Sequence, residues 1–86
     1  LNTEGANPRT FQAGTLAGTT WGRLVDYIHQ YSQKAVYRCS PLALVRNGKA
    51  DHFPDYDLVI REDDYLALIA HADFSLDDFK KGIQKG

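Results

Sequence analysis

Basic and amide side chains gather around one turn near the middle of the chain. Arg46-Asn47-Gly48-Lys49 joins two segments of extended character, and Arg38 lies on the first of them. Guanidinium and ammonium groups bind phosphates and carboxylates through charge-assisted hydrogen bonds, so this edge could bind a small anion. The tip of a hairpin is also polar simply because it faces water, and this simpler explanation stays open.

The groups that catalysis would need are scarce. Cys39 is the only cysteine, and His29, His52 and His71 are the only imidazoles that could deprotonate it. No local motif activates this thiol, and a buried, inert cysteine on a strand is the simpler interpretation. The sequence also has no serine nucleophile elbow, no GxGxxG fingerprint and no phosphate-binding loop. We therefore predict that the protein is not an enzyme and has no catalytic residue.

Metal ions and nucleic acids are also weakly indicated. The acidic residues between Asp55 and Asp64 are oxygen ligands that suit calcium, but the alternating ligands, central glycine and terminal glutamate of an EF-hand loop are absent. Solvated carboxylates in turns explain these acidic residues, and we predict no metal ligands.

Tyr27 and Tyr31 have basic neighbours and could stack on nucleic-acid bases. A formal net charge of -1 leaves no basic excess, so we predict no nucleic-acid partner.

The first half of the chain contains a helix and a hairpin. An apolar stripe of helical period runs through Trp21, Leu24, Val25, Ile28 and Tyr31. Thr20 stands before the stripe as an N-cap, which predicts a helix over residues 20–33. Residues 11–17 could form a short strand. Asn47-Gly48 favours a hairpin turn between an extended segment, 35–45, and a returning strand, 50–53.

The second half continues with short strands and a last helix. Residues 58–60 are expected to form a short buried strand, and residues 65–70 a central strand covered on both faces. Ser75 could cap a final amphipathic helix that carries Leu76, Phe79 and Ile83. Together the elements predict an α+β fold: a small, mostly antiparallel sheet with one packed amphipathic helix and a C-terminal helix.

Length and composition favour one small domain. The chain has 86 residues, of which 43% are hydrophobic and 12% aromatic, as in a packed globule. We assign residues 1–10 to a linker or arm and residues 11–86 to a single domain. No signal segment opens the chain, and its longest apolar run, 65–70, is far shorter than a membrane span. Because methionine is absent, we expect the chain to be part of a longer polypeptide.

Four short motifs occur in a fixed order along the domain. They are Gly18-x-Thr20 with Leu24, the apolar run 42–45 ending in Arg46-Asn47-Gly48, the spaced set Pro54, Asp57 and Ile60, and Asp63-Asp64-Tyr65-Leu66 before the last apolar strand. In this order and spacing they resemble the TrkA-C domain, the C-terminal lobe of regulator-of-potassium-conductance modules. The resemblance covers residues 11–70. The sequence departs from the family pattern at Asp63 and Ala70, where the family has glycines.

The resemblance implies a regulatory role. TrkA-C lobes follow a dinucleotide-binding lobe on the cytoplasmic side of potassium channels and transporters. They pair as dimers, and in some members a small ligand or ion shifts the gating state. The chain would then be a ligand-sensing or dimerising domain of a potassium channel or potassium uptake system, located at the cytoplasmic side of the cell membrane. The alternatives are a regulatory domain of another membrane carrier, for anions or for sodium–proton exchange, and a ligand-free interaction module.

The resemblance also suggests where partners would bind. A small anionic or nucleotide ligand would contact Arg46 and Asn47, with Arg38 as a secondary contact. A homodimer interface could use Trp21 and Tyr27, although Trp21 lies in the apolar stripe and is better explained as a core residue. The other expected partner is the rest of a larger membrane transport protein or complex. The sequence identifies no cofactor.

Overall fold

The computed structural model describes residues 7–33 and 39–85 and shows an α+β domain. The elements in chain order are β1 (Asn7–Gln12), a 3-10 turn (Gly14–Leu16), α1 (Trp21–Ser32), β2 (Cys39–Arg46), β3 (Lys49–Asp51), β4 (Tyr65–Ala70) and α2 (Leu76–Lys85). The strands form one antiparallel sheet in the order β1-β4-β2-β3. The fold class predicted from the sequence is confirmed.

Local signals set the first helix and the hairpin. The Thr20 hydroxyl accepts a hydrogen bond from the Arg23 backbone N–H at 3.2 Å, so Thr20 is the N-cap of α1 as predicted. Asn47 and Gly48 have φ values of 53° and 77° and form the turn between β2 and β3. Two residues of positive φ make the tight turn that matches strand twist, which is why asparagine and glycine stand there. The predicted hairpin is therefore confirmed.

The two helices cover the same face of the sheet. Leu24 and Ile28 of α1 and Phe79 and Ile83 of α2 share one core cluster with the buried side chains of β4. Four aromatic rings, those of Tyr27, Tyr31, Phe74 and Phe79, pack together with centroids 5.1 to 6.0 Å apart. The Ser75 hydroxyl accepts from the Asp78 N–H at 3.3 Å, as expected of the cap of α2. The helices and the sheet thus form two layers around one core.

The strand register divides the sheet residues between two faces. The inner face, toward the helices, holds Arg9, Phe11, Cys39, Leu44, Arg46, Leu66, Leu68 and Ala70. The outer face holds Pro8, Thr10, Gln12, Ser40, Ala43, Val45, Ala50, Tyr65, Ala67 and Ile69. Along β4 the burial alternates between the faces, with Leu66, Leu68 and Ala70 buried and Tyr65 exposed. β4 is central as predicted, but the expectation that both of its faces are covered is wrong, because α1 and α2 pack on the same side and Tyr65 on the other is exposed.

Three other strand predictions are corrected. Residues 7–10, expected in a linker, belong to β1, while the predicted strand over 11–17 ends at Gln12 and gives way to the 3-10 turn. The predicted strand 50–53 is shorter and ends at Asp51. Residues 58–60 form only an isolated bridge, between Val59 and Thr20, within a loop that runs along the start of α1. In the described part of the chain, neither helix is long and apolar enough to span a membrane.

Candidate functional site

Arg46 and Asp64 form an ion pair at the hairpin end of the sheet. Arg46 Nε donates to Asp64 Oδ1 at 2.8 Å, and Arg46 Nη2 donates to Asp64 Oδ2 at 2.7 Å. Oδ2 also accepts the Arg61 backbone N–H at 2.8 Å. The Asp64 side chain is 1% exposed, so its charge is buried, and a paired guanidinium with a backbone donor is what makes that burial tolerable.

The ion pair changes the acidity of both partners. Hydrogen bonding from Arg46 is the main reason why the pKa of Asp64 lies below its ordinary value, and this effect outweighs burial, which acts in the opposite direction. The hydrogen bonds that Arg46 donates to Asp64 raise the pKa of Arg46 in turn. Both groups therefore stay charged at neutral pH, and the pair holds the chain after Arg61 against the end of β2.

The same arginine reaches a second point on the loop. Arg46 Nη2 donates to the Val59 carbonyl oxygen at 3.0 Å, and Val59 is bridged to Thr20. Ile60 and Gly18 add to this connection, since the Gly18 N–H donates to the Ile60 carbonyl at 2.9 Å. Hydrogen bonds thus connect α1, β2, the loop and the start of β4 in one network, which we call the Arg46 network (Thr20, Arg46, Val59 and Asp64).

A cavity of about 580 Å³ opens beside the hairpin. It is lined by Leu44, Arg46, Asn47, Lys49, Ala50, Asp51, His52, Phe53 and Leu58. Its size lies within the range of small-molecule sites, and it combines an apolar floor with a few polar groups. Phe53, which lies at the edge of the cavity, is 92% exposed. The His52 ring nitrogen Nδ1 is 2.9 Å from the Leu42 carbonyl oxygen. The arrangement suits a small molecule that has an apolar part and an anionic group.

The predicted ligand residues have different positions at this cavity. Asn47 and Arg46 both line it, but the Arg46 donors Nε and Nη2 already bind Asp64 and Val59. Lys49 is exposed and also lines the cavity, so it is a second cation that an anion in the cavity could approach. Arg38 lies outside the described residues. Sequence reasoning missed Asp64 as the partner of Arg46, although both residues stand in the motifs quoted above.

The predicted interface residues lie in or beside the core of the chain itself. Trp21 is 5% exposed and belongs to the core cluster, so its ring leaves little surface for a partner. Tyr27 is half-buried, with its ring 5.1 Å from that of Phe79 and its hydroxyl against Gly82. Burial raises the pKa of the Tyr27 hydroxyl. Both side chains pack α1 on its neighbours within the chain.

A larger groove, of about 730 Å³, lies between α1, the loop at Tyr56 and the end of α2. The Tyr56 ring rests on Gly22, where a side chain would collide with it, and the Gly22 N–H donates to the Tyr56 carbonyl at 2.8 Å. Leu58 accepts the Trp21 N–H in the same way. Arg23 Nη2 donates to the Ile83 carbonyl oxygen at the end of α2, at 2.6 Å. These contacts give hydrogen-bond acceptors to the first backbone N–H groups of α1 and connect α1 to α2. The residues around the groove therefore have a structural role.

The thiol and the acidic turns show no arranged chemistry. Burial raises the pKa of the Cys39 thiol, whose sulfur lies 3.7 Å from the Ser32 hydroxyl oxygen. A thiol with a raised pKa is a poor nucleophile at neutral pH. Within residues 7–33 and 39–85, no group of three or more His, Cys, Asp or Glu side chains is placed to hold a metal ion.

Comparison of the chain with protein-family models, curated proteins and solved structures gives no match. The functional assignment therefore depends on the motifs of the sequence and on the geometry of the hairpin cavity. Of these, the cavity is the feature that a binding experiment can address directly.

Proposed function

We propose that this chain is a regulatory domain, ligand-sensing or dimerising, of a potassium channel or potassium uptake system, and that it works on the cytoplasmic side of the membrane. The observation that carries the proposal is the Arg46 network. Thr20, Arg46 and Asp64 each come from a different one of the motifs, and Val59 lies between Asp57 and Ile60 of the remaining motif. The four motifs whose order and spacing resemble the TrkA-C pattern thus contribute to one network of contacts, and this supports the proposal.

A ligand in the hairpin cavity could act on this network. Arg46 belongs to both, since it lines the cavity and holds Asp64 and Val59. An anion bound by Lys49 and Asn47 would lie close to the Arg46 guanidinium and would compete with Asp64 for it. A ligand shifts an equilibrium only through a difference in affinity between two states. Competition for Arg46 supplies that difference.

Ligand binding can be tested on the chain by thermal and urea unfolding with two probes, inorganic phosphate for simple anions and adenosine monophosphate for nucleotides. A probe that binds the folded chain stabilises it by about 2.7 kcal/mol at a hundredfold excess over its dissociation constant. We expect Lys49→Ala to remove that gain. Lys81→Ala is the matched control, because Lys81 is an exposed lysine on α2, outside the cavity lining. Equal gains in both variants would contradict the cavity as the site.

The regulatory role needs a measurement on the complete transport protein. We expect potassium flux to respond to the probe that binds the chain, and the response to be lost in Lys49→Ala but kept in Lys81→Ala. Flux of sodium and protons, or of an anion, with the same dependence would replace potassium by another carried ion. A chain that associates with its partners but responds to neither probe would be a ligand-free interaction module.

A further inference from the structure

Phe53 stands at the edge of the hairpin cavity with almost all of its surface in water. It is 92% exposed, the highest value among the large apolar residues of the described chain. Its backbone is nevertheless held on both sides. The Phe53 N–H donates to Asp51 Oδ1 at 3.0 Å, and the buried Pro54 restricts Phe53 to extended conformations. The backbone that carries the ring is therefore fixed, which lowers the ordering cost of a contact with a ligand.

Apolar and aromatic side chains continue from Phe53 along the cavity. Leu44 is 2% exposed and Leu58 is half-buried, and both line the cavity. The His52 ring lines it as well and is held in place through its Nδ1, which is 2.9 Å from the Leu42 carbonyl oxygen. Aromatic rings pack on one another in offset or edge-on contacts, which a flat ring can make. The apolar part of the lining therefore suits a planar aromatic group.

The charged groups of the lining favour a ligand with one negative charge. Arg46 and Lys49 are positive and Asp51 is negative, so the lining side chains have a net formal charge of +1. A carboxylate balances this charge, whereas a phosphate monoester carries about −1.5 to −2 at neutral pH and exceeds it. Lys49 and Asn47 are both exposed, and together they supply N–H donors for the two oxygens of a carboxylate.

We infer that the hairpin cavity binds a planar aromatic carboxylate. Its ring lies against Phe53 and the two leucines, and its carboxylate accepts hydrogen bonds from Lys49 and Asn47. The inference rests on the proposed function, which places the ligand in the same cavity, and it narrows that ligand from any small anion to one chemical class. The cavity volume of about 580 Å³ has room for a fused aromatic ring system.

The test is a titration of the chain with naphthoate, followed by the chemical shifts of the backbone amides, which report both the affinity and the site. Two matched compounds separate the parts of the ligand. Decahydronaphthoate keeps the charge but loses the flat ring, and naphthylmethanol keeps the ring but loses the charge. We expect naphthoate to bind about fivefold more tightly than decahydronaphthoate because of ring stacking. It should bind at least about tenfold more tightly than naphthylmethanol, because hydrogen bonds to a charged group are stronger.

A variant of the aromatic edge locates the ring of the ligand. Phe53→Leu keeps an apolar side chain but removes the aromatic face, so it should weaken naphthoate about fivefold and leave decahydronaphthoate unchanged. Tyr65→Leu is the matched control, because Tyr65 is 46% exposed on the outer face of the sheet and does not line the cavity. Circular dichroism shows whether each variant is folded, and the comparison of the compounds on the wild type depends on neither variant.

The outcomes separate this inference from the proposed function. Equal affinities of the wild type for naphthoate and decahydronaphthoate would overturn the inference, and so would an unchanged naphthoate affinity in Phe53→Leu. A chain that phosphate or adenosine monophosphate stabilises through Lys49, but that does not bind naphthoate, would keep the proposed ligand site and lose this inference. A chain that binds naphthoate as expected, in a transport protein whose flux responds to no ligand of the cavity, would keep the inference and lose the regulatory role.

Discussion

The inner and outer faces of the sheet differ in what covers them and in where their charged residues lie. The inner face supplies Leu44, Leu66 and Leu68 to a core that the chain covers with its own helices, and its charged residues include Arg46. That charge is tolerated because Asp64 and Val59 supply acceptors for it within the same chain. The outer face has no helix from the described chain packed on it and holds no charge at all. The difference teaches that the charged residues of the strands all lie on the inner face, where Arg46 also finds its partners within the chain.

The two faces should contribute differently to stability. Inner-face contacts should determine the free energy of unfolding, because they form the core. Outer-face side chains, which have no helix of the described chain packed on them, should contribute little. Matched substitutions on the two faces can therefore be compared by urea unfolding.

The largest expected effect is the loss of an aromatic ring that closes the inner core. Phe79 is fully buried and contacts the rings of Tyr27, Tyr31 and Phe74. Phe79→Ala should lower the free energy of unfolding by about 3 to 5 kcal/mol, because it removes apolar contacts and leaves a cavity. Urea unfolding followed by circular dichroism measures the change.

Phe53→Ala is the matched control for that prediction. The chemical change is identical, but the Phe53 ring is 92% exposed, so the loss should stay within about 0.5 kcal/mol. Phe79→Leu, which leaves a smaller cavity, should lie between the two if Phe79→Ala does not fold. Similar losses at Phe79 and Phe53 would contradict the assignment of the core to the inner face.

The second effect concerns the buried charge. Asp64→Asn should lower the free energy of unfolding at neutral pH by about 2 to 3 kcal/mol, since it leaves a guanidinium without its anion. In the folded chain Arg46 lowers the pKa of Asp64, so the unfolded chain takes up this proton first as the pH falls. The stabilisation is complete above the ordinary pKa of an aspartate, about 3.9, and is lost as the pH falls further through the folded pKa.

Denaturation of the wild type and Asp64→Asn between pH 7 and pH 2 therefore gives two curves that converge at low pH. Asp63→Asn removes the neighbouring carboxylate, which is exposed, and serves as the control. A constant gap between wild type and Asp64→Asn at every pH would show that the carboxylate charge does not stabilise this loop.

The sequence predicted the features that depend on neighbouring residues. Thr20 caps α1, and Asn47-Gly48 turns the chain, because each property belongs to a residue and those beside it. The polar edge at the hairpin was also predicted in this way, and Asn47 and Lys49 line a cavity there. The helix cap, the turn and the polar edge each depend on residues that are adjacent in the sequence, so the sequence alone is enough to predict them.

The features that the sequence did not predict depend on distant contacts. Residues 7–10 look like a linker, but pairing with β4 makes them a strand, and Pro8 is tolerated because β1 lies at the edge of the sheet. The ion pair joins Arg46 to a residue eighteen positions away, which spacing alone does not reveal. The one-sided cover of β4 depends on where α2 packs. Each of these follows from tertiary pairing that overrides the local pattern.

A smaller effect is expected at the start of α1, the helix that covers the inner face. Thr20→Ala removes the acceptor of the Arg23 N–H and should cost about 1 kcal/mol in urea unfolding. Thr19→Ala is the control, because Thr19 contributes its backbone carbonyl to Ile60 and its side chain is not the cap. Losses of equal size in the two variants would mean that the cap hydroxyl does not stabilise the helix.

The smallest effect belongs to the outer face and separates the two faces most clearly. Thr10 is exposed on the edge strand β1, and its side chain points away from the core. Thr10→Glu should therefore change the free energy of unfolding by no more than about 0.5 kcal/mol. Urea unfolding followed by circular dichroism measures the change. A large loss would show that the outer face stabilises the chain as the inner face does, and the distinction between the two faces would fail.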